Sequence, residues 1–199
     1  MWRSGYRSVS FWHFKRAGAV LRAGGIVAYP TEAVYGLGCD PWNAGTFLRL
    51  LTIKHRGIEK GVILIGASFS QLLPFVEEPE QQARRRLDAD WPGPVSWLLP
   101  VRPGVPYWLT GGRKTLAVRV TAHREAALLC DFFGGALVST SANISGRAPA
   151  RSALGVRRRF GSAVDYVLTG QVGSERQPSE IRDAFTDRVI RSGSSARVR

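Results

Sequence analysis

Cysteine is almost missing from this 199-residue chain: Cys39 and Cys130 stand far apart and share no paired or metal-ligand spacing. They read as buried thiols of a reducing compartment, which argues against a disulfide framework or a thiolate metal site. Histidine is equally scarce, and His13, His55 and His123 form no HxH or HExxH pair, so a zinc site is not expected. No apolar run approaches the length of a membrane span. The first ten residues carry two arginines but no apolar h-region, so no secretory leader is expected and the cytoplasm is the expected compartment. GxGxxG and GxxxxGK[ST] are also lacking, which excludes a Rossmann fingerprint and a P-loop. Acidic residues are outnumbered, 15 against 28 basic ones, for a formal net charge of +13. Only four of those cations are lysine. The excess predicts an electropositive face attractive to phosphates; so marked an arginine bias also arises from genomic base composition alone.

What the chain does contain suits one folded domain over residues 1–199, with a core from about 10 to 191. Apolar residues make up 44% and aromatics 10% of it, enough to bury a real core at this length. Residues 10–23 fit an amphipathic helix capped by Ser10, with Phe14, Ala17, Val20 and Leu21 inward. Apolar runs at 26–29, 61–65, 95–101, 116–120 and 136–139 read as strands, and 61–65 suits a central one. Helical patterns lie near 69–75, over 79–87, over 124–133 and from 149 to about 160. Residues 178–183 and 188–191 look like the two arms of a final hairpin. Strands and helices interleave, but several strands follow one another without a crossover helix. That predicts a twisted, mixed α/β sheet flanked by helices.

The chemistry is densest between Gly24 and Arg56. Ile26 to Tyr29 reads as a buried strand stopped by Pro30, which has no N–H for a continuing ladder. Thr31 to Gly38 then forms a polar, glycine-bearing loop in a βα unit, at the strand end where α/β sheets usually hold ligands. A helix from about Asn43 buries Phe47, Leu48 and Leu51, and Lys54, His55 and Arg56 fall at its C-terminal end. Thr140 to Gly146 is a second hydroxyl-rich loop after a strand, equally able to cap the next element. Arg119, inside an apolar strand, must find an anion, snorkel or face solvent. The run Arg84–Arg86 reads as solvent-facing charge, and Arg157–Arg159 as part of a basic helix.

Taken in order, YPTEAVYGLGCD (29–40), KHR (54–56), WPGPVS (91–96), LAVRV (116–120), STSANISG (139–146) and PSEIRD (178–183) resemble the YrdC/Sua5/TsaC family, in its short single-domain bacterial form. The resemblance implies a YrdC-like fold, similar to a double-stranded-RNA-binding domain, with a deep basic concave surface. It also implies a nucleotidyltransferase reaction, in which L-threonine, bicarbonate and ATP with Mg²⁺ give threonylcarbamoyl-adenylate and pyrophosphate. Partner proteins of the tRNA t6A pathway then pass the group to adenosine 37 of tRNAs reading ANN codons, with tRNA or double-stranded RNA contact a further implication. On the family's motifs, Lys54 and Arg56 belong at the ATP phosphates as catalytic cations. Ser139, Ser141, Asn143, Ser179 and Arg191 complete the ATP site, and Thr31, Tyr35 and Arg119 the threonine site. No metal ligand from the protein is implied, since the Mg²⁺ travels on ATP. The chain departs from the family pattern at Gly57 (often proline), at Ile65-Gly66 (histidine in many longer members) and at Pro178-Ser179-Glu180 (usually PST). The rival reading is a non-catalytic RNA-binding or ribosome-maturation factor using the same basic surfaces; RRM aromatics and CCHH spacing are both missing from the chain.

Overall fold

Alternation along the strands explains how the two sides of the molecule are covered. In a computed structural model that describes residues 10–175 and 179–192, β1 (Val27–Pro30) sends Val27 and Tyr29 to one side of a sheet and Ala28 to the other. The first side is closed by α1 (Phe11–Arg22) and α5 (Arg124–Phe133) through Phe14, Ala17, Leu21, Ala126 and Leu129. The second, larger side packs α2 (Ala44–Lys54), α3 (Gln81–Asp90) and α6 (Ala153–Phe160) over Leu37, Leu64, Trp97, Val118 and Val138. Period-two side-chain direction makes this division, and burial on both faces makes the central runs apolar throughout.

The remaining elements are β2 (Tyr35–Gly38), β3 (Ile63–Gly66), β4 (Ser96–Pro100), the short α4 (Tyr107–Thr110), β5 (Thr115–Val120), β6 (Leu137–Ser141), β7 (Tyr166–Val167), β8 (Ile181–Asp183) and β9 (Val189–Arg191). The sheet order is β7-β1-β2-β6-β3-β5-β4-β8-β9, with β3 at its centre. The β1/β7, β3/β5 and β4/β8 pairs are parallel and the others antiparallel. The mixed sheet is therefore as the sequence predicts, as are the central strand and the final hairpin; Pro178 lies outside the described residues. No helix among the described residues is long and apolar enough to cross a membrane.

Several local expectations are corrected. Residues 31–38 are not a βα loop: Tyr35–Gly38 is a strand paired antiparallel with β1, and Pro30 remains in the ladder opposite Tyr35. The glycines there are small rather than flexible. A Cβ on Gly38 would sit 2.8 Å from both the Tyr29 ring and the Val138 carbonyl, and one on Gly36 3.2 Å from the same ring. On α2 the inward stripe is Phe47, Leu50, Leu51 and Lys54, at the i, i+3, i+4, i+7 spacing of a helix face,. Leu48, expected inside, is 52% exposed. Ser10 sits at the α1 N-cap without a side-chain cap bond. Arg86 is not solvated, because its Nη1 donates to the carbonyls of Ala184 and Phe185 and ties α3 to the last hairpin.

The α2 stripe gives a direct stability test. Leu50→Ala removes a fully buried side chain and should cost about 2–5 kcal/mol, whereas Leu48→Ala should stay within about 0.5 kcal/mol; urea unfolding of both variants measures the contrast.

Candidate active site

Lys54 is the residue that joins two separate parts of the chain. The helical stripe of α2 carries it inward, and Asn43 fixes the other end of that helix by accepting from the Thr46 N–H at 3.0 Å. Its Nζ donates to the Asn143 carbonyl at 2.8 Å and to the Ser141 carbonyl, and it is only 2% exposed. In return, Ser145 N donates to the Lys54 carbonyl at 2.9 Å. His55 then adopts the left-handed conformation at φ 50° and closes α2. The next residue, Arg56, leaves on the far side of that reversal and lines a cavity.

The cavity, of about 520 Å³, opens between the β1–β2 hairpin, the end of β6, the middle of β5 and the final hairpin. Its walls include Thr31, Tyr35, Arg56, Arg119, Ser139, Ser141, Asn143, Ser179 and Arg191. Nine of the ten site residues named from the sequence thus meet in one place. Lys54 stands behind the wall, with its ammonium spent on the carbonyls that shape it.

Cations dominate the lining. Arg56 donates from Nη2 to the Gly61 carbonyl at 2.9 Å, and its Nε has no hydrogen-bond partner among the described residues. Arg191 reaches the Ser179 carbonyl at 2.8 Å and the Ser179 hydroxyl at 3.4 Å. Burial lowers the proton affinity of both, and Arg191 is lowered further by the fields of Arg56 and Arg119. A guanidinium stays charged regardless, so three arginines with overlapping fields form a site that an anion would relieve. Burial also pushes Lys54 down to about 7, helped by the neighbouring charge of Arg56.

Arg119 has its answer on the facing hairpin. Glu32 Oε2 lies 3.3 Å from Arg119 Nη2, both side chains being nearly enclosed. Glu32 Oε1 accepts from the Thr121 hydroxyl at 2.6 Å and the Ala122 N–H at 3.2 Å. Burial would raise the Glu32 carboxyl, but Arg119 and these hydrogen bonds overcome it and hold it below the usual carboxylate range. The Nε of Arg119 still lacks a hydrogen-bond partner among the described residues. Part of its fork therefore has no partner in the fold, and that nitrogen is buried.

The hydroxyls are mostly committed. Thr31 Oγ1 donates to the Val34 carbonyl at 2.7 Å, closing the hairpin turn. Tyr35 Oη donates to the Gly170 carbonyl at 2.6 Å and accepts from its N–H at 3.0 Å. Ser139 Oγ accepts from Tyr29 Oη at 2.9 Å, and Ser141 Oγ donates to Asn143 Oδ1 at 2.5 Å. Sequence reasoning missed Glu32, Lys60, Arg113 and Glu175, which also line the cavity. Glu32 sits inside a quoted motif, beside Thr31, and was findable as the one acid between residues 31 and 38. Arg113 had no signal, because only the fold brings it within reach of the Thr110 and Glu59 carbonyls, at 3.0 and 2.8 Å.

With this geometry in hand, comparison with known proteins places the chain. The Sua5/YciO/YrdC family model, described as telomere recombination, matches residues 19–193. The chain belongs to the Sua5/YciO/YrdC family. Among its relatives, the threonylcarbamoyl-AMP synthase of Nitrosococcus oceani is 53% identical over 180 residues, 90% of this chain and 97% of that protein. The one from Halorhodospira halophila is 51% identical over 177 residues, 89% and 93% of the two chains. Sua5 from P. abyssi, solved in complex with L-threonine, overlays with a TM-score of 0.84 at 32% identity, covering 89% of this chain. This chain spans about half of that longer protein, 52% of it. YciO of E. coli overlays at 0.79 with 25% identity, covering 90% of this chain and 88% of its own.

The position of Lys54 predicts an inverted pH dependence. Its folded proton affinity, about 7, lies below the ordinary 10.5 of the unfolded chain. Between those values the unfolded state holds the extra proton, so stability rises with pH across the window and the penalty is full below it. A neutral amine keeps two N–H groups, so both carbonyl bonds survive deprotonation. Urea titrations should show wild type gaining on Lys54→Met from pH 7 to 10; a flat difference means that the ammonium stays charged in the fold.

Proposed function

We infer that the chain is an L-threonylcarbamoyl-adenylate synthase. The observation that carries this reading is the joining, in one cavity, of a half-free buried guanidinium at Arg119 with the Arg56/Arg191 pair beside the Ser139–Asn143 hydroxyls. The two ends suit the two anions that the reaction brings together, an amino-acid carboxylate and a triphosphate, and relatives about half identical over most of the chain carry the name of this enzyme.

The reaction needs no nucleophile from the protein. The amine of threonine and bicarbonate condense to a carbamate with loss of water. A carbamate oxygen then attacks the α-phosphorus of ATP, and the bond to the β-phosphate breaks to release pyrophosphate. Arg119, steadied by Glu32, is suited to a bidentate grip on the threonine carboxylate. The Thr31 turn and the Tyr35 ring form the adjoining wall, where the methyl group of the substrate would be sensed. Arg56 and Arg191 are suited to the phosphates, where preorganised charge stabilises the developing oxyanion and the leaving group. Lys54 holds the Ser141–Asn143 wall in place and adds its charge from behind; a phosphate nearby would restore its proton. Magnesium fits as the counterion of the nucleotide. Among the described residues no group of His, Cys, Asp and Glu could hold a resident ion, and Glu32 is already committed to Arg119 and Thr121. The unstable adenylate then requires acceptor proteins of the tRNA t6A pathway, which places the reaction in the cytoplasm.

Purified protein should release pyrophosphate from ATP with magnesium only when threonine and bicarbonate are both present. Arg56→Ala should lower the rate about a hundredfold, and Arg119→Ala should raise the threonine KM more than the ATP KM. A protein that releases no pyrophosphate but binds RNA with a salt dependence unaffected by Arg56→Ala would be the non-catalytic factor instead.

A further inference from the structure

The turn after β6 is held by two cations, Lys54 and Arg159. Between residues 141 and 148, six carbonyls accept from the side chains of Lys54, Asn143 and Arg159. Lys54 takes those of Ser141 and Asn143, and Asn143 Nδ2 takes those of Ile144 and Arg147 at 3.0 and 2.9 Å. The other two, Ala142 and Ala148, both bind one nitrogen of Arg159, Nη1, at 3.0 and 2.7 Å. Arg159 comes from α6, which Ser152 caps by accepting from Gly155 N at 3.1 Å and which buries Ala153, Val156 and Phe160. Its neighbours in the triplet do other things: Arg157 Nη2 reaches the Thr169 hydroxyl at 3.4 Å, and Arg158 is exposed. The sequence holds no acidic residue from 132 to 164, so no carboxylate of this segment competes for Arg159.

A carbonyl oxygen facing a phosphate repels it, whereas a hydroxyl or an N–H attracts it. With the Ser141, Ala142, Asn143 and Ala148 carbonyls taken by Lys54 and Arg159, the turn sets Ser141 and Asn143 in the cavity wall. Lys54 alone cannot do this, since it reaches only alternate carbonyls of the turn. Arg159 supplies the intervening one and, through Ala148, the return limb. The Ala142 carbonyl also accepts from Ala150 N at 2.9 Å, and Ala142 N donates to Tyr35 O at 2.7 Å. The arginine therefore grips the turn where it joins β2.

We propose that Arg159 is a positioning residue for the nucleotide phosphates, acting through the Ser141–Ala148 turn and touching no substrate. This rests on the reading of that turn as the ATP wall. Losing two charge-assisted bonds should weaken ATP binding about tenfold in Arg159→Ala. The threonine KM, and kcat at saturating ATP, should stay as in wild type. Arg159→Lys should recover part of the loss, because a single nitrogen serves both carbonyls and an ammonium has the N–H groups to do the same. Millimolar guanidinium should likewise restore ATP affinity to Arg159→Ala. Arg158→Ala removes the same charge from the same helix without a carbonyl contact and should bind ATP normally.

Calorimetric titration with ATP and magnesium, with steady-state kinetics for both substrates, tests this on the full chain. Equal ATP affinity in wild type and Arg159→Ala overturns the proposal. Equal weakening in Arg158→Ala and Arg159→Ala also overturns it, since the effect would then be charge at a distance. If Arg159→Ala loses threonine and ATP affinity together and guanidinium restores neither, Arg159 supports only the fold and the proposal falls. A wild-type chain that binds no ATP brings down the functional reading first, and this one with it.

Discussion

A buried ammonium with two carbonyl partners is the contact on which the cavity depends. Lys54 ends α2 and faces inward because it falls on the same helical stripe as Phe47, Leu50 and Leu51. The turn after β6 meets it nearly ninety residues later in the chain. Hydrogen bonds to a charged donor are among the stronger ones in a protein, and a carbonyl left unmet in the interior costs more than the bond itself contributes. The contact therefore fixes the wall of the cavity and, through the reversal at His55, the direction in which Arg56 leaves.

The same device recurs around the site. Arg56 on Gly61, Arg113 on Thr110 and Glu59, Arg159 on Ala142 and Ala148, and Arg191 on Ser179 each place a cation on main-chain oxygens. Such bonds order loops that have no helix or strand ladder of their own. Unlike ion pairs, they leave the positive charge uncancelled. One set of residues can thus shape the walls without losing its charge to an ion pair. Arg119 is the exception: Glu32 balances it, at the end of the cavity suited to an amino acid, whose own ammonium an unopposed cluster would repel.

Much of this was legible beforehand. Phe14, Ala17 and Leu21 on α1 follow the 3.6-residue period, and the 61–65 run marks the central strand because both of its faces are covered. The motifs at 29–40, 54–56, 116–120 and 139–146 pointed to residues that do line the cavity. Other features were misread for identifiable reasons. The Tyr35–Gly38 strand was hidden because its glycines lower strand propensity, yet they serve to admit the Tyr29 ring. Leu48 looked apolar enough to bury, but it lies two positions from Leu50, about 200° around the helix. Lys54, by contrast, ends α2 as its motif suggests, and its Nζ meets the Ser141 and Asn143 carbonyls.

The sequence by itself determined the mixed α/β class, the covered central strand, the sign of the charge and most of the polar side chains around the cavity, because periodicity and residue chemistry are local properties. Only the tertiary structure decided which of those cations face the cavity and which brace its walls. Arg56 and Lys54 are two residues apart, and Arg158 and Arg159 adjacent, yet each pair divides between different tasks. That division depends on where carbonyls from distant strands come to rest, and carbonyls are the same in every residue, so the sequence carries no mark of them.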